Sequence, residues 1–257
     1  MERRLSSIKL KSLKLLKSLK ILKSLKLSKL FLSSFFLIFL TFALSPSFYA
    51  QTPSVIRNIR IPLWAELDAY PELEAAQDLD AGQYDYPIKS IRQVAPFIIS
   101  GMVYGWNFTY TPSDKARGVE EYLEITEIVS SDYLKSGITY TSPWIENNRF
   151  NCWCEYKRND VQVQNYNLWA SIQNPVIQGR GYGDLKKGFE GLRDAAYDAL
   201  KSAIRNHYRN TIKNKPKEIT GSVLIRDLPT IGIDSGRYVF NLDFFLEYGK
   251  IIGYSVY

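Results

Sequence analysis

The sequence predicts an α+β fold: a mostly antiparallel sheet with one long amphipathic helix packed on one face, following an N-terminal signal sequence. Three patterns carry that expectation. From Asp184 to Arg209, apolar residues recur at spacings of three and four (Leu185, Phe189, Leu192, Ala196, Ala199, Leu200, Ala203, Ile204, His207), with charged side chains between them; this is the stripe of a surface helix. Around Trp106 and again around Leu242, large side chains alternate with period two, as in a strand with one buried face. The first fifty residues run from basic to apolar to small and turn-prone, the layout of an export signal.

The formal charge of +7 is unevenly spread. Residues 1–50 hold ten basic residues and one acidic, a net of +9, leaving 23 basic against 25 acidic in the body, a net of −2. A body without a positive field argues against a nucleic-acid partner. The apolar run Leu30–Leu44 is 15 residues, shorter than the ~20 that span a bilayer, so removal of the leader near Gln51 is expected rather than anchoring by it. Membrane contact is then confined to residues 1–50, and residues 51–257 form a single extracytoplasmic domain, periplasmic or secreted. Its 46% hydrophobic and 14% aromatic composition (whole chain) is that of a folded core.

Taken in order, Ser54–Leu63 reads as a first strand, with Val55, Ile56, Ile59 and Ile61. The acid-rich Trp64–Tyr86 follows, with a short helix from Pro71 to Ala76. Ile88–Val94 reads as a second short helix stopped near Pro96. Ile98–Tyr110 reads as a strand whose even positions Met102, Tyr104, Trp106, Phe108 and Tyr110 share one face. Thr111–Asp114 supplies a turn, and Tyr122–Val129, Gly137–Thr141, Arg149–Tyr156 and Val161–Ser171 read as further strands, the last two divided by Lys157–Asp160. After the helix, strands are expected at Ile219–Ile225, at Arg237–Tyr248 and, beyond a Gly249 turn, at Lys250–Tyr257.

Few residues suggest chemistry. His207 is the only histidine and sits on the helix stripe, which excludes multi-histidine metal clusters and favours a packing role. Cys152-Trp153-Cys154 places two thiols on one side of a strand, ~6.6 Å apart at Cα, near the upper limit for a disulfide; reduced core cysteines are expected. Asp78-x-Asp80-x-Gly82 is a fragment of a calcium loop without its terminal Glu, so no metal site is expected. Gly179-x-Gly181-x-Gly183 misses the dinucleotide fingerprint and reads as a tight strand-to-helix connection, so no cofactor is expected. Asn107-Phe108-Thr109 matches a glycosylation acceptor inside a strand.

What remains is aromatic. Tyr104, Trp106, Phe108 and Tyr110, with Trp144, Trp153 and Trp169 on neighbouring elements, could pack the core or stack on a sugar ring. Part of the Tyr104–Tyr110 row is expected to be core, with any ligand surface formed at its solvent end. The expected function is therefore a non-catalytic binding or structural module of the cell envelope, with an envelope protein or polysaccharide as partner. The competing expectation is a hydrolase of a cell-surface polymer using carboxylates such as Glu66, Asp68, Glu72 and Glu74.

Overall fold

The computed structural model describes residues 57–68 and 84–254. The leader with its cleavage point near Gln51, the helix expected at 71–76, the Asp78–Asp80 fragment, Glu72, Glu74 and Tyr257 lie outside the described residues. The fold is α+β with antiparallel sheets, as the alternation and the helix stripe predict. Among the described residues no helix is long and apolar enough to cross a membrane.

The first strand, β1 (Asn58–Glu66), alternates without a break: Ile59, Ile61, Leu63 and Ala65 are buried and the residues between them face outward. It pairs with β5 (Arg149–Lys157), which pairs with β4 (Thr139–Glu146), giving a three-stranded sheet in the order β1-β5-β4. Against its inner face lies α1 (Asp85–Val103), which also packs on the second sheet. Pro96 does not stop this helix. Its ring removes one backbone hydrogen bond, but Ile91, Val94, Ala95, Phe97, Ile98, Ile99, Met102 and Val103 stay buried across it, and burial on both sides outweighs the loss. The strand expected at Ile98–Tyr110 is thus helix up to Val103, and only β2 (Trp106–Thr111) is extended. The change of direction falls on Gly105, at φ +82°, where an added Cβ would also lie 2.2 Å from the Val223 carbonyl oxygen.

The second sheet runs β3 (Tyr122–Glu127), β2, β7 (Glu218–Ile225), β9 (Arg237–Ile252), β6 (Val176–Asp184), all antiparallel. Strand β8 (Thr230–Asp234) lies end to end with β7 along the same edge of β9, and Ser235-Gly236, both at positive φ, turn it back. Strand β9 continues through Gly249 to Ile252, so the two C-terminal strands expected from the sequence are one, with an irregularity opposite Thr220 where the turn was placed.

The predicted amphipathic helix is α3 (Phe189–Thr211), preceded by a single 3-10 turn at Leu185–Lys187. It packs chiefly on β6 and β9. Gly179, Gly181 and Gly183 lie within β6, not in a loop. A Cβ on Gly181 would come within 2.0 Å of the Ala199 nitrogen, and one on Gly183 within 1.8 Å of the Gly191 carbonyl oxygen. Glycine on the strand and Ala195, Ala196, Ala199 and Ala203 on the helix let two backbones nearly touch. The segment expected as a strand at Val161–Ser171 is helix α2 (Asp160–Trp169). Asn159 and Gln162 form a reciprocal capping box at its start, satisfying two backbone donors that a strand would have left elsewhere.

Candidate functional site

The aromatic row is core over most of its length. Trp106, Phe108 and Tyr110 are each 3% exposed or less. Trp106 stacks on Phe97 of α1 at 5.1 Å and meets Tyr197 of α3 edge-on at 5.9 Å. Tyr104 is not on the strand; it caps α1, half-buried, and its hydroxyl accepts a hydrogen bond from Gln162 at 2.9 Å. Nor do the other tryptophans join the row. Trp169 is buried with Leu224 and Phe245, whereas Trp144 and Trp153 pair on the first sheet, 6.0 Å between ring centres, with Arg60 over Trp153.

At the far end of the row the geometry changes. The Tyr110 hydroxyl donates to Glu121 Oε1 at 2.6 Å, and the same carboxylate takes both arms of the Arg205 guanidinium. Burial disfavours the Glu121 charge, but the hydrogen bonds from Arg205 and Tyr110 win and hold its carboxyl below the usual value. The same triad pushes the Tyr110 phenol up, by burial first and by Glu121 second.

Beside this triad, between the end of α3 and the ends of β2 and β7, lies a groove of about 200 Å³ lined by Tyr110, Pro112, Arg205, Tyr208, Arg209, Ile212, Lys213, Lys215, Pro216 and Ile219. Helix spacing puts Arg205, Tyr208 and Arg209 on one side of α3. Tyr110, Pro112, Ile212, Pro216 and Ile219 supply an apolar floor. The rim is cationic. Arg205 is held by Glu121 and Lys215 donates to the Ser113 carbonyl at 2.7 Å, while Arg209 and Lys213 form no ion pair among the described residues. In the groove wall, Tyr208 is 4% exposed and its hydroxyl has no hydrogen-bond partner. Burial, then the neighbouring Tyr248, pushes its pKa up to about 12. A second, more open groove of about 540 Å³ lies along the same helix, lined by Asp194, Tyr197, Asp198 and Lys201 with Tyr122, Leu123, Tyr182 and Arg237. Glu121 lines this second groove and its partner Arg205 the first, so their ion pair stands where the two meet.

His207 lies outside both grooves. It is half-buried and shares a 2.9 Å hydrogen bond with the Tyr248 hydroxyl, and burial lowers its pKa. Of the candidate catalytic carboxylates, Glu66 and Asp68 fall among the described residues, at and just beyond the end of β1, and neither lines the two grooves along α3. Cys152 and Cys154 are buried on the inner face of β5, as unbridged thiols with sulfurs 3.8 Å apart. The thiol–thiol hydrogen bond and burial push Cys154 up and leave Cys152 as the member that ionises first. Among the described residues no cluster of three or more His, Cys, Asp and Glu could hold a metal ion. Asn107 is exposed on β2 and accepts from the Ser222 hydroxyl at 2.7 Å.

Fold and site together define a small α+β domain with an amphiphilic groove at the end of its long helix. The chain belongs to an uncharacterised protein family whose profile matches residues 46–254. An "Uncharacterized protein" of Treponema pallidum (strain Nichols) is 30% identical over 205 residues, which are 78% of this chain and 83% of that protein. No solved structure matches.

Proposed function

We propose that the protein is an exported, non-catalytic binding module of the cell envelope, and that the groove beside Tyr110 holds one unit of an anionic envelope polymer. The observation that carries this reading is the convergence, on one apolar floor, of Arg209 and Lys213, two cations that form no ion pair among the described residues. The floor offers apolar contact and Arg209 and Lys213 offer charge, the combination that small binding sites use to fix orientation. At about 200 Å³ the groove is smaller than the roughly 300–1,000 Å³ of a pocket for a whole small ligand. That size suits one ring of a longer chain.

The test is calorimetric titration of the purified protein with polygalacturonate as the anionic probe and dextran as the neutral one. Binding of the anionic polymer alone, weakening with salt, is expected. Arg209→Gln with Lys213→Gln should reduce it by about tenfold or more while leaving the melting temperature unchanged, because neither cation forms an ion pair among the described residues. Equal binding of dextran, or an unaffected variant, would reject the site. Export is tested separately: N-terminal sequencing should find a mature start near residue 51 in the envelope fraction, and a cytosolic species starting at Met1 would reject it.

A further inference from the structure

Cys152 lines a cavity of about 170 Å³ together with Ile88, Ile91, Arg92, Tyr140, Pro143 and Phe150, and Cys154 lies fully buried behind it, its sulfur 3.8 Å from that of Cys152. Strand β5 is paired along both edges, to β1 and β4, with Cys152 opposite Leu63 and Cys154 opposite Ile61 and Tyr140. That pairing holds the two residues in extended register. A disulfide would require the sulfurs to close from 3.8 Å to about 2.05 Å against a Cα spacing already near its limit. The thiols are therefore kept apart, at a separation that has its own meaning. With metal–sulfur bonds of about 2.3 Å, sulfurs 3.8 Å apart subtend an angle of roughly 110° at the metal.

We propose that Cys152 and Cys154, with this cavity, chelate a soft monovalent cation, copper(I) in chemical class. Thiolates select soft ions, and a zinc site of structural type would need four protein ligands, which the described residues do not assemble. The bent angle leaves the metal open toward the cavity, where a small ligand from solution completes a three-coordinate shell. On binding, two S–H bonds break and two metal–sulfur bonds form; both protons leave to solvent and no electron is transferred. The complex carries a net −1 charge. Arg92, exposed at the cavity mouth, supplies the matching positive charge.

The experiment uses the full-length, reduced protein, titrated anaerobically with copper(I) in competition with a chromophoric copper(I) chelator, with X-ray absorption to read the bonded atoms. One copper per chain with two copper–sulfur bonds is expected. Cys152→Ser and Cys154→Ser should each abolish uptake. Since a serine could disturb the core, Arg92→Gln provides a second arm: it should weaken copper(I) about tenfold with an unchanged melting curve. No uptake by the wild-type protein, uptake retained when both cysteines are serine, oxygen and nitrogen ligands only, or an unchanged affinity in Arg92→Gln would each overturn the assignment.

Discussion

His207 and Glu121 each contribute to how the fold responds to acid. His207 has its folded-state pKa lowered below the ordinary 6.5 by burial. Between those two values the unfolded chain binds more protons than the folded one, so stability present above pH 6.5 declines as the pH falls below it. Glu121 follows at lower pH: its folded value is held below the ordinary 4.5, so its contribution is present above 4.5 and is lost as pH falls through the folded value. Denaturant melts of His207→Gln should therefore lose the pH dependence that the wild type shows just below pH 6.5, while keeping the fall below 4.5. Glu121→Gln should keep the dependence just below pH 6.5 and lessen the fall below 4.5, part of which remains because the Arg117 guanidinium likewise holds the Asp114 carboxyl below its usual value. Glu121→Gln should also cost about 1–2 kcal/mol at neutral pH, because the Arg205 guanidinium and Tyr110 hydroxyl lose a charged acceptor at a site still partly open to solvent. A variant that is as stable as wild type and equally sensitive below pH 4.5 would show that the triad contributes nothing to the fold.

At the scale of elements, the contact between α3 and β6 depends on the absence of side chains. Gly181→Ala puts a Cβ against backbone atoms of Ala195 and Ala199, which cannot swing aside as a side-chain tip can, so helix and strand must separate. A loss of about 3 kcal/mol is expected, measured by urea unfolding. Gly232→Ala, with open space around its Cβ and no positive φ, should stay within about 0.5 kcal/mol. If both behave alike, the close approach does not control stability. The same elements show what the sequence could and could not say. Helix α3 was legible because its stripe repeats over six turns. Helix α2 was not read, although Asn159-x-x-Gln162 is a helix-start signature, because Val161, Val163 and Trp169 satisfy a strand pattern equally well. At Ile98–Val103 a fully buried helix is apolar all round, so its last turns could be joined to the real alternation of β2, and Pro96 reinforced the error. The candidate groove was legible only as a location, the solvent end of the Tyr110 row. Its cations come from residues 205–215 and its floor from residues near 110 and 219, and no local pattern joins segments a hundred positions apart.

For the molecule as a whole, Trp106 is the joint between layers. It lies on the second sheet, stacks on Phe97 of α1, meets Tyr197 of α3 and Phe244 of β9, and its six-membered ring lies where a Cβ on Gly101 would be, 2.8 Å away. Its indole N–H is buried without a hydrogen-bond partner, so bulk and stacking, not polarity, explain its presence. Phe108, two residues along the same face, packs under Gly221 of β7 and makes none of these helix-spanning ring contacts. Each →Ala change leaves a cavity and should cost about 3–5 kcal/mol. In a domain of this size that lowers the melting temperature by roughly 6–20 °C. The two variants should differ in where the loss is felt. Trp106→Ala removes packing from α1, α3 and the sheet at once, so native-state hydrogen exchange should show the amides of both helices losing protection together. Phe108→Ala should lower protection first in β2 and β7. If α1 and α3 instead exchanged independently in Trp106→Ala, the helices would belong to separate cooperative units, and the row would be local packing instead of the element that couples the layers.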